Sequence, residues 1–147
     1  MAQDTERFKI RGAAMDDERR VMELLLMLVD GRLPASDTVE ATFRYLLDGS
    51  RGSVLLVDDG GRAAGMISYS FNLAMRYGGE YAQIEELIVD EAYRGYGLGA
   101  RLVESAVAAA RERGCKEIGL YALDNNRPFY EKFGFVYRGT ELRLALS

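Results

Sequence analysis

The stretch Arg94-Gly95-Tyr96-Gly97-Leu98-Gly99-Ala100 constrains this chain more than any other. Its three glycines fall at the mouth of the strongest helical pattern in the sequence, Leu98 to Arg113. There Leu98, Leu102, Val103, Ala106, Val107 and Ala110 form a single apolar stripe, and Gly114 stands where a helix would stop. Glycine loses more backbone freedom on folding than any other residue, so a cluster this dense calls for more than a turn. Glycine also lets backbone N–H groups approach a bulky anion. The helix start adds unpaired N–H groups and the positive end of its dipole. The segment therefore reads as a phosphate cradle.

Two common nucleotide patterns do not fit the context. Gly95 to Ala100 formally satisfies G-x-G-x-x-G/A, but five residues separate Val89 from Gly95, where a Rossmann turn would be tight. Only 47 residues follow Ala100, too few to complete a doubly wound domain. The P-loop pattern G-x-x-x-x-G-K-[ST] is absent.

With 147 residues, the chain suits one domain spanning 1–147. Its composition, 48% apolar and 29% charged, is that of a soluble globular protein. No apolar run reaches the ~20 residues of a membrane span, and Met1 to Arg7 lacks the apolar stretch of a signal peptide. A net charge of −4 argues against nucleic acid as a partner. The lone cysteine, Cys115, cannot form an internal disulfide, and a cytoplasmic setting is expected. Histidine is missing altogether, which removes Ser-His and Cys-His catalysis and the imidazole ligands of catalytic zinc. No metal site is expected. Proton transfer near neutral pH falls to a carboxylate, Lys, Tyr, a thiol or water.

Along the chain, Phe8 to Ala13 reads as a strand and Asp16 to Val29 as a helix with Val21, Leu24, Leu25 and Leu28 on one face. Asp37 and Glu40 have capping-box spacing for a second helix, Thr38 to Leu47. Ser53 to Val57 and Ala63 to Leu73 form a hairpin about Asp58-Asp59-Gly60-Gly61, and Tyr81 to Val89 follows as a strand. After the Leu98–Arg113 helix come a strand at Glu117 to Ala122, a short helix at Asn126 to Phe133 and a last hairpin at Phe135 to Leu146. The order β-α-α-β-β-β-α-β-α-β-β predicts an α+β fold, with a mostly antiparallel sheet flanked by helices and one parallel βαβ crossover.

These features together resemble the GNAT superfamily of N-acetyltransferases. Its pyrophosphate motif, Q/R-x-x-G-x-G/A, is met by Arg94, Gly97 and Gly99. The motif follows an apolar strand end, here Leu87-Ile88-Val89, and the acidic linker Asp90-Glu91. Downstream, Asn125 and Tyr130-Glu131-Lys132-Phe133-Gly134-Phe135 are similar to the family's second signature. The resemblance implies a GNAT-like sheet whose parallel crossover surrounds a coenzyme A site, and acetyl-CoA as cosubstrate. It implies that the backbone of Leu87, Ile88 and Val89 pairs with the pantetheine arm. Arg94, Gly95, Tyr96, Gly97, Leu98, Gly99 and Ala100 would meet the pyrophosphate, with Asn125 a further coenzyme A contact.

An amine near pKa 10 must lose a proton before attacking a thioester. Glu85 and Glu86 lie mid-strand in an apolar context, where a carboxylate needs a partner or a task. The resemblance implies an acidic residue of this strand as base. Strict alternation puts Glu85 on the face of Leu87 with Glu86 opposite, and Glu85 is the first choice, although a bulge, common here in the family, would reverse that parity. By the resemblance, Tyr130 protonates the departing thiolate, and the amine attacks directly in a ternary complex without passing through Cys115. Tyr45, Tyr69, Phe71, Tyr77 and Tyr81 are candidates for an acceptor pocket. The expected acceptor is a primary amine of a small molecule. The alternatives are a protein lysine or N-terminus, and, in another class, a non-catalytic acyl-CoA-binding sensor. Dimers are common in the family, so a homodimer is among the expectations.

Overall fold

The computed structural model describes residues 6–139 and 141–147. Its sheet has five strands in the order β1 (Phe8–Gly12), β2 (Gly52–Asp59), β3 (Arg62–Ala74), β4 (Gly79–Val89) and β5 (Ile118–Leu120). The first four are antiparallel neighbours, and β5 lies parallel to β4. The helices are α1 (Glu18–Val29), α2 (Ser36–Leu46), α3 (Leu98–Arg113) and α4 (Arg127–Glu131). α3 is the crossover that makes the β4–β5 pair parallel. The result is the α+β architecture expected from the order of elements.

Alternation along the strands divides the core in two. Val54, Leu56 and Met66 face Val21 and Leu24 of α1 and Phe43 of α2. Val57, Ile67 and Tyr69 face Leu98, Leu102, Val103 and Ala106 of α3, and α4 adds Phe129 and Tyr130 to that side. The sheet is thus covered on both faces, and side-chain parity decides which layer each strand residue serves. No helix among the described residues is long and apolar enough to cross a membrane.

Four expectations need correction. The second helix starts at Ser36, with Ala35 at its N-cap, so Asp37 lies inside it and makes no capping box. Instead the Asp37 carboxylate accepts from the Thr38 N–H at 3.0 Å. The strand expected over Glu117–Ala122 shrinks to Ile118–Leu120, because β5 parts from β4 after Leu120. The helix expected over Asn126–Phe133 becomes a 3-10 turn at Asp124–Asn126 followed by α4, with Pro128 near its start. Finally, the described residues of Phe135–Leu146 form no hairpin, Thr140 lying outside them. Leu142, Leu144 and Leu146 keep a strand-like alternation but are 88%, 84% and 92% exposed. Among the described residues this alternation joins no strand of the sheet.

Candidate active site

β4 and β5 are paired only at their beginnings. Ala82, Gln83 and Ile84 stand opposite Ile118, Gly119 and Leu120, after which β5 ends while β4 runs on to Val89. From Glu85 onward β4 is bonded to β3 alone, so its outer edge offers free N–H and C=O groups to an extended ligand. Leu87 and Val89 pack towards α3, and Ile88 packs towards α1 and α2. Their side chains are core, and only the backbone edge is available.

Beyond Val89 the chain makes a 3-10 turn, Glu91–Tyr93, capped by Asp90, whose carboxylate accepts from the Ala92 N–H at 3.0 Å. The glycine segment follows. Gly95 and Gly97 have φ of +94° and +72°, conformations that L side chains rarely adopt, and nothing lies within 4 Å of where a Cβ would stand. Gly97 is the N-cap of α3 and makes no side-chain cap. Among the described residues, the N–H groups of Gly95 to Ala100 find no protein acceptor. The first turn of α3 carries no acidic residue, while Arg111 and Arg113 lie in the last, so the positive dipole end is left uncompensated. Arg94 is exposed beside it. Tyr96 contributes only its N–H, because its ring turns onto Phe8 at 5.1 Å and its hydroxyl accepts from Arg7 at 3.3 Å.

The two carboxylates of β4 sit at a bulge. Ser68 is opposite Glu86 while Tyr69 is opposite Ile84, leaving Glu85 as the extra residue. Alternation breaks there: Ile84 and Leu87, three apart, share the α3 side. Glu85 therefore leaves the face of Leu87 expected for it. The Ser70 hydroxyl donates to Glu85 at 2.8 Å and the Ser68 hydroxyl donates to Glu86. Ser68 and Ser70 are two apart on β3, so both carboxylates reach hydroxyls on the same side of the sheet. Glu85 is exposed, whereas Glu86 is half-buried. Burial pushes the Glu86 carboxyl above the usual range, against the Ser68 hydrogen bond, and the nearby Glu85 charge adds to the rise.

Glu86 and Ser68 line a cavity of about 130 Å³ between the sheet and the first two helices. Leu25 of α1, Leu33 of the following loop, and Val39 and Thr42 of α2 enclose it. Among the described residues Glu86 is the one charged side chain in that lining. On the opposite side of the sheet, Tyr130 of α4 is half-buried, its ring edge-on to Phe129 at 5.0 Å and Phe135 at 6.0 Å. Its hydroxyl has no protein partner among the described residues, and burial pushes the phenol upward, so it carries its proton near neutral pH. Burial also raises the Cys115 thiol, away from the thiolate that a covalent acyl carrier would need.

A splayed parallel pair, a row of free N–H groups at a helix start and a bulged acidic strand thus lie next to one another along β4 and the start of α3. The model of the acetyltransferase (GNAT) family matches residues 19–135. The chain belongs to the GNAT acetyltransferase family. A protein of rice, a probable glucosamine 6-phosphate N-acetyltransferase 2, is 39% identical over 70 residues, which cover 48% of this chain and 42% of that protein. Rice glucosamine 6-phosphate N-acetyltransferase 1 is 31% identical over 150 residues, covering 96% of this chain and 88% of that protein. The match thus spans less than half of the first relative and most of the second. Among solved structures, an acetyltransferase of Trypanosoma brucei superposes with a TM-score of 0.81 at 27% identity, covering 95% of this chain and 99% of that one.

In this GNAT chain the structure gathers the candidate residues Glu85 to Ala100 along one path, from the bulge through the open edge to the cradle. Asn125 is exposed in the 3-10 turn before α4. None of the five candidate aromatics lines the cavity. Tyr69 is core, Tyr45 is 69% exposed, Phe71 lies under the Arg113 guanidinium at 3.8 Å, and Tyr77 and Tyr81 pack on each other. Sequence reasoning missed Ser68 and Ser70, which carry no motif. It also missed Arg20, whose guanidinium donates to Asp90 at 2.6 Å and to the Ala63 carbonyl at 2.9 Å. An arginine amid the apolar positions of α1 was the available signal.

Proposed function

We propose that this chain transfers an acetyl group from acetyl-CoA to a primary amine of a small molecule, by direct attack in a ternary complex. The observation that carries the reading is the position of Glu86. Its backbone belongs to the strand whose outer edge is open, while its carboxylate lines the cavity on the α1–α2 side. Membership of the GNAT family and the names of the relatives support the reaction class.

The residues present fit acetyl-CoA. The N–H groups of Gly95 to Ala100, with the α3 dipole and Arg94, suit a pyrophosphate. The free edge of Glu85 to Val89 suits the amides of pantetheine. When bound, acetyl-CoA supplies an acyl carbon activated by a thiol leaving group. Glu86 takes the ammonium proton, directly or through one water, and its raised pKa brings it closer to the amine than an exposed carboxylate would be. Ser68 holds the carboxylate in place by donating its hydroxyl. The amine nitrogen bonds to the acyl carbon, the carbon–sulfur bond breaks, and the electron pair leaves on sulfur. Tyr130 then delivers its phenolic proton to that sulfur. The second proton shed by the nitrogen passes through solvent and restores the phenol of Tyr130. Burial and geometry favour Glu86 over Glu85 as base, reversing the preference drawn from strict alternation. The test is release of coenzyme A thiol from acetyl-CoA across a panel of amines. Amine-dependent release supports the reading, and acetyl-CoA binding without release on any amine would leave a sensor.

A further inference from the structure

We infer that the acceptor is a small amine with an apolar body, an alkylamine or arylalkylamine, rather than a phosphorylated amino sugar. The inference rests on the acetyltransferase reading and asks what the cavity beside Glu86 can hold. Leu25, Leu33, Val39 and Val54 present hydrocarbon to its interior, and its polar groups are Ser68 and Thr42 beside the Glu86 carboxylate. Ser68 already spends its hydroxyl proton on Glu86, and Thr42 donates to the Thr38 carbonyl at 2.8 Å. With those protons committed, the polar groups of the pocket act as acceptors, the charged one among them is Glu86, and an ammonium group suits it.

The rest of the acceptor must tolerate apolar walls. A sugar hydroxyl placed against Leu25 or Val39 would lose water and gain no partner, which is costly. A phosphate would fare worse, because among the described residues the lining holds no Lys or Arg and its one charge is negative. Size points the same way. The volume of about 130 Å³ is well under the ~300 Å³ at which pockets for larger ligands begin, so it suits a short chain or a single ring. This conclusion runs against the substrate in the names of the rice relatives, to which the chain is 31–39% identical.

The experiment measures kcat/KM from thiol release, using the full chain, acetyl-CoA, a series of n-alkylamines, phenethylamine, glucosamine and glucosamine 6-phosphate. We expect kcat/KM to climb by about fourfold per methylene until the cavity is filled, then fall. Glucosamine 6-phosphate should lie at least ~100-fold below the best alkylamine. Leu25→Ala enlarges the cavity and should move the optimum to a longer chain; Val39→Ala should do the same if the first variant does not fold. A flat chain-length profile, or an optimum that neither variant moves, overturns the inference. Preference for glucosamine 6-phosphate also overturns it while leaving acetyl transfer intact. Thiol release with none of the amines, in a chain that still binds acetyl-CoA, overturns the transfer reading and this inference with it.

Discussion

On the α3 side of the sheet, the groups available to a ligand are mainly main-chain N–H and C=O, with Arg94 and the Tyr130 hydroxyl beside them. On the α1–α2 side they are side chains, with a carboxylate at the sheet and hydrocarbon around it. The two sides meet at the β4 bulge, where Glu86 contributes backbone to one and a carboxylate to the other. The contrast teaches which substitutions each side can bear. A main-chain cradle fails when something fills it. A side-chain pocket fails when its charge is removed, and it changes preference when its walls move.

The sharpest way to break this contrast is Glu86→Gln. Turnover should fall by about 10²–10⁴, the usual range for loss of a general base, while acetyl-CoA affinity holds. Glu85→Gln, at an exposed position, should lose less. The same variant carries a stability signature. Burial holds the folded-state pKa of Glu86 above its unfolded value, so its favourable contribution is present at low pH and lost as pH rises through the folded pKa. Glu86→Gln should therefore melt higher than wild type at neutral pH, with the gain vanishing on acidification. An equal gain at every pH would mean that ionisation of Glu86 is not the cause.

Next in size is Gly97→Asp, which puts bulk and negative charge into the cradle. The space there is open, and aspartate tolerates the left-handed conformation better than most residues, so the fold should survive. Acetyl-CoA affinity, read by calorimetry, should drop on the order of 10²-fold or more through like-charge repulsion and blocked N–H groups. Undiminished affinity in the folded variant would remove the phosphate from α3.

Tyr130→Phe keeps the ring and its edge-on contacts but loses the proton. A thiolate near the ~8.5 of free cysteine leaves tolerably unaided, so the loss in turnover should be modest, about 10–10². Wild-type turnover, measured where chemistry limits the rate, would return Tyr130 to a packing role.

The smallest effect should come from Arg20→Gln, which cuts the tie between α1 and the turn that leads into the cradle. Arg20 and Asp90 are 12% and 13% exposed. Denaturation should show a loss of roughly 1.5–3 kcal/mol, the range for a charge-assisted hydrogen bond. Arg20 holds the Asp90 carboxyl below its usual range, so this stability is present above the unfolded pKa of aspartate and disappears as pH falls through the folded value. A stability gap between variant and wild type that does not narrow in acid would contradict the assignment.

What could be read in advance follows the same division between backbone and side chain. A cradle built from main chain leaves its mark as glycine, and Gly95 and Gly97 do occupy the left-handed conformations that only glycine adopts freely. The α3 stripe was equally legible, because one regular period fixes sixteen residues from Leu98 to Arg113. The face of Glu85 was not legible, since a bulge shifts parity without any residue that announces it. Nor were the walls of the cavity. Leu33, Val39 and Thr42 come together from a loop and a helix, and such residues look the same in a pocket as in a core. The C-terminal leucines failed in the other direction, having the alternation of a strand without a neighbour to pair with.

The placement of acetyl-CoA is measured most directly by a crystal structure with coenzyme A bound. The pyrophosphate should accept from the N–H groups of Gly95 to Ala100, and the pantetheine amides should pair with the outer edge of β4 between Glu85 and Val89. The sulfur should lie on the Tyr130 side of that edge, with the Glu86 carboxylate about 3 Å from the acyl site or one water away. A pyrophosphate bound elsewhere, or a pantetheine arm that does not pair with the outer edge of β4, would contradict that placement.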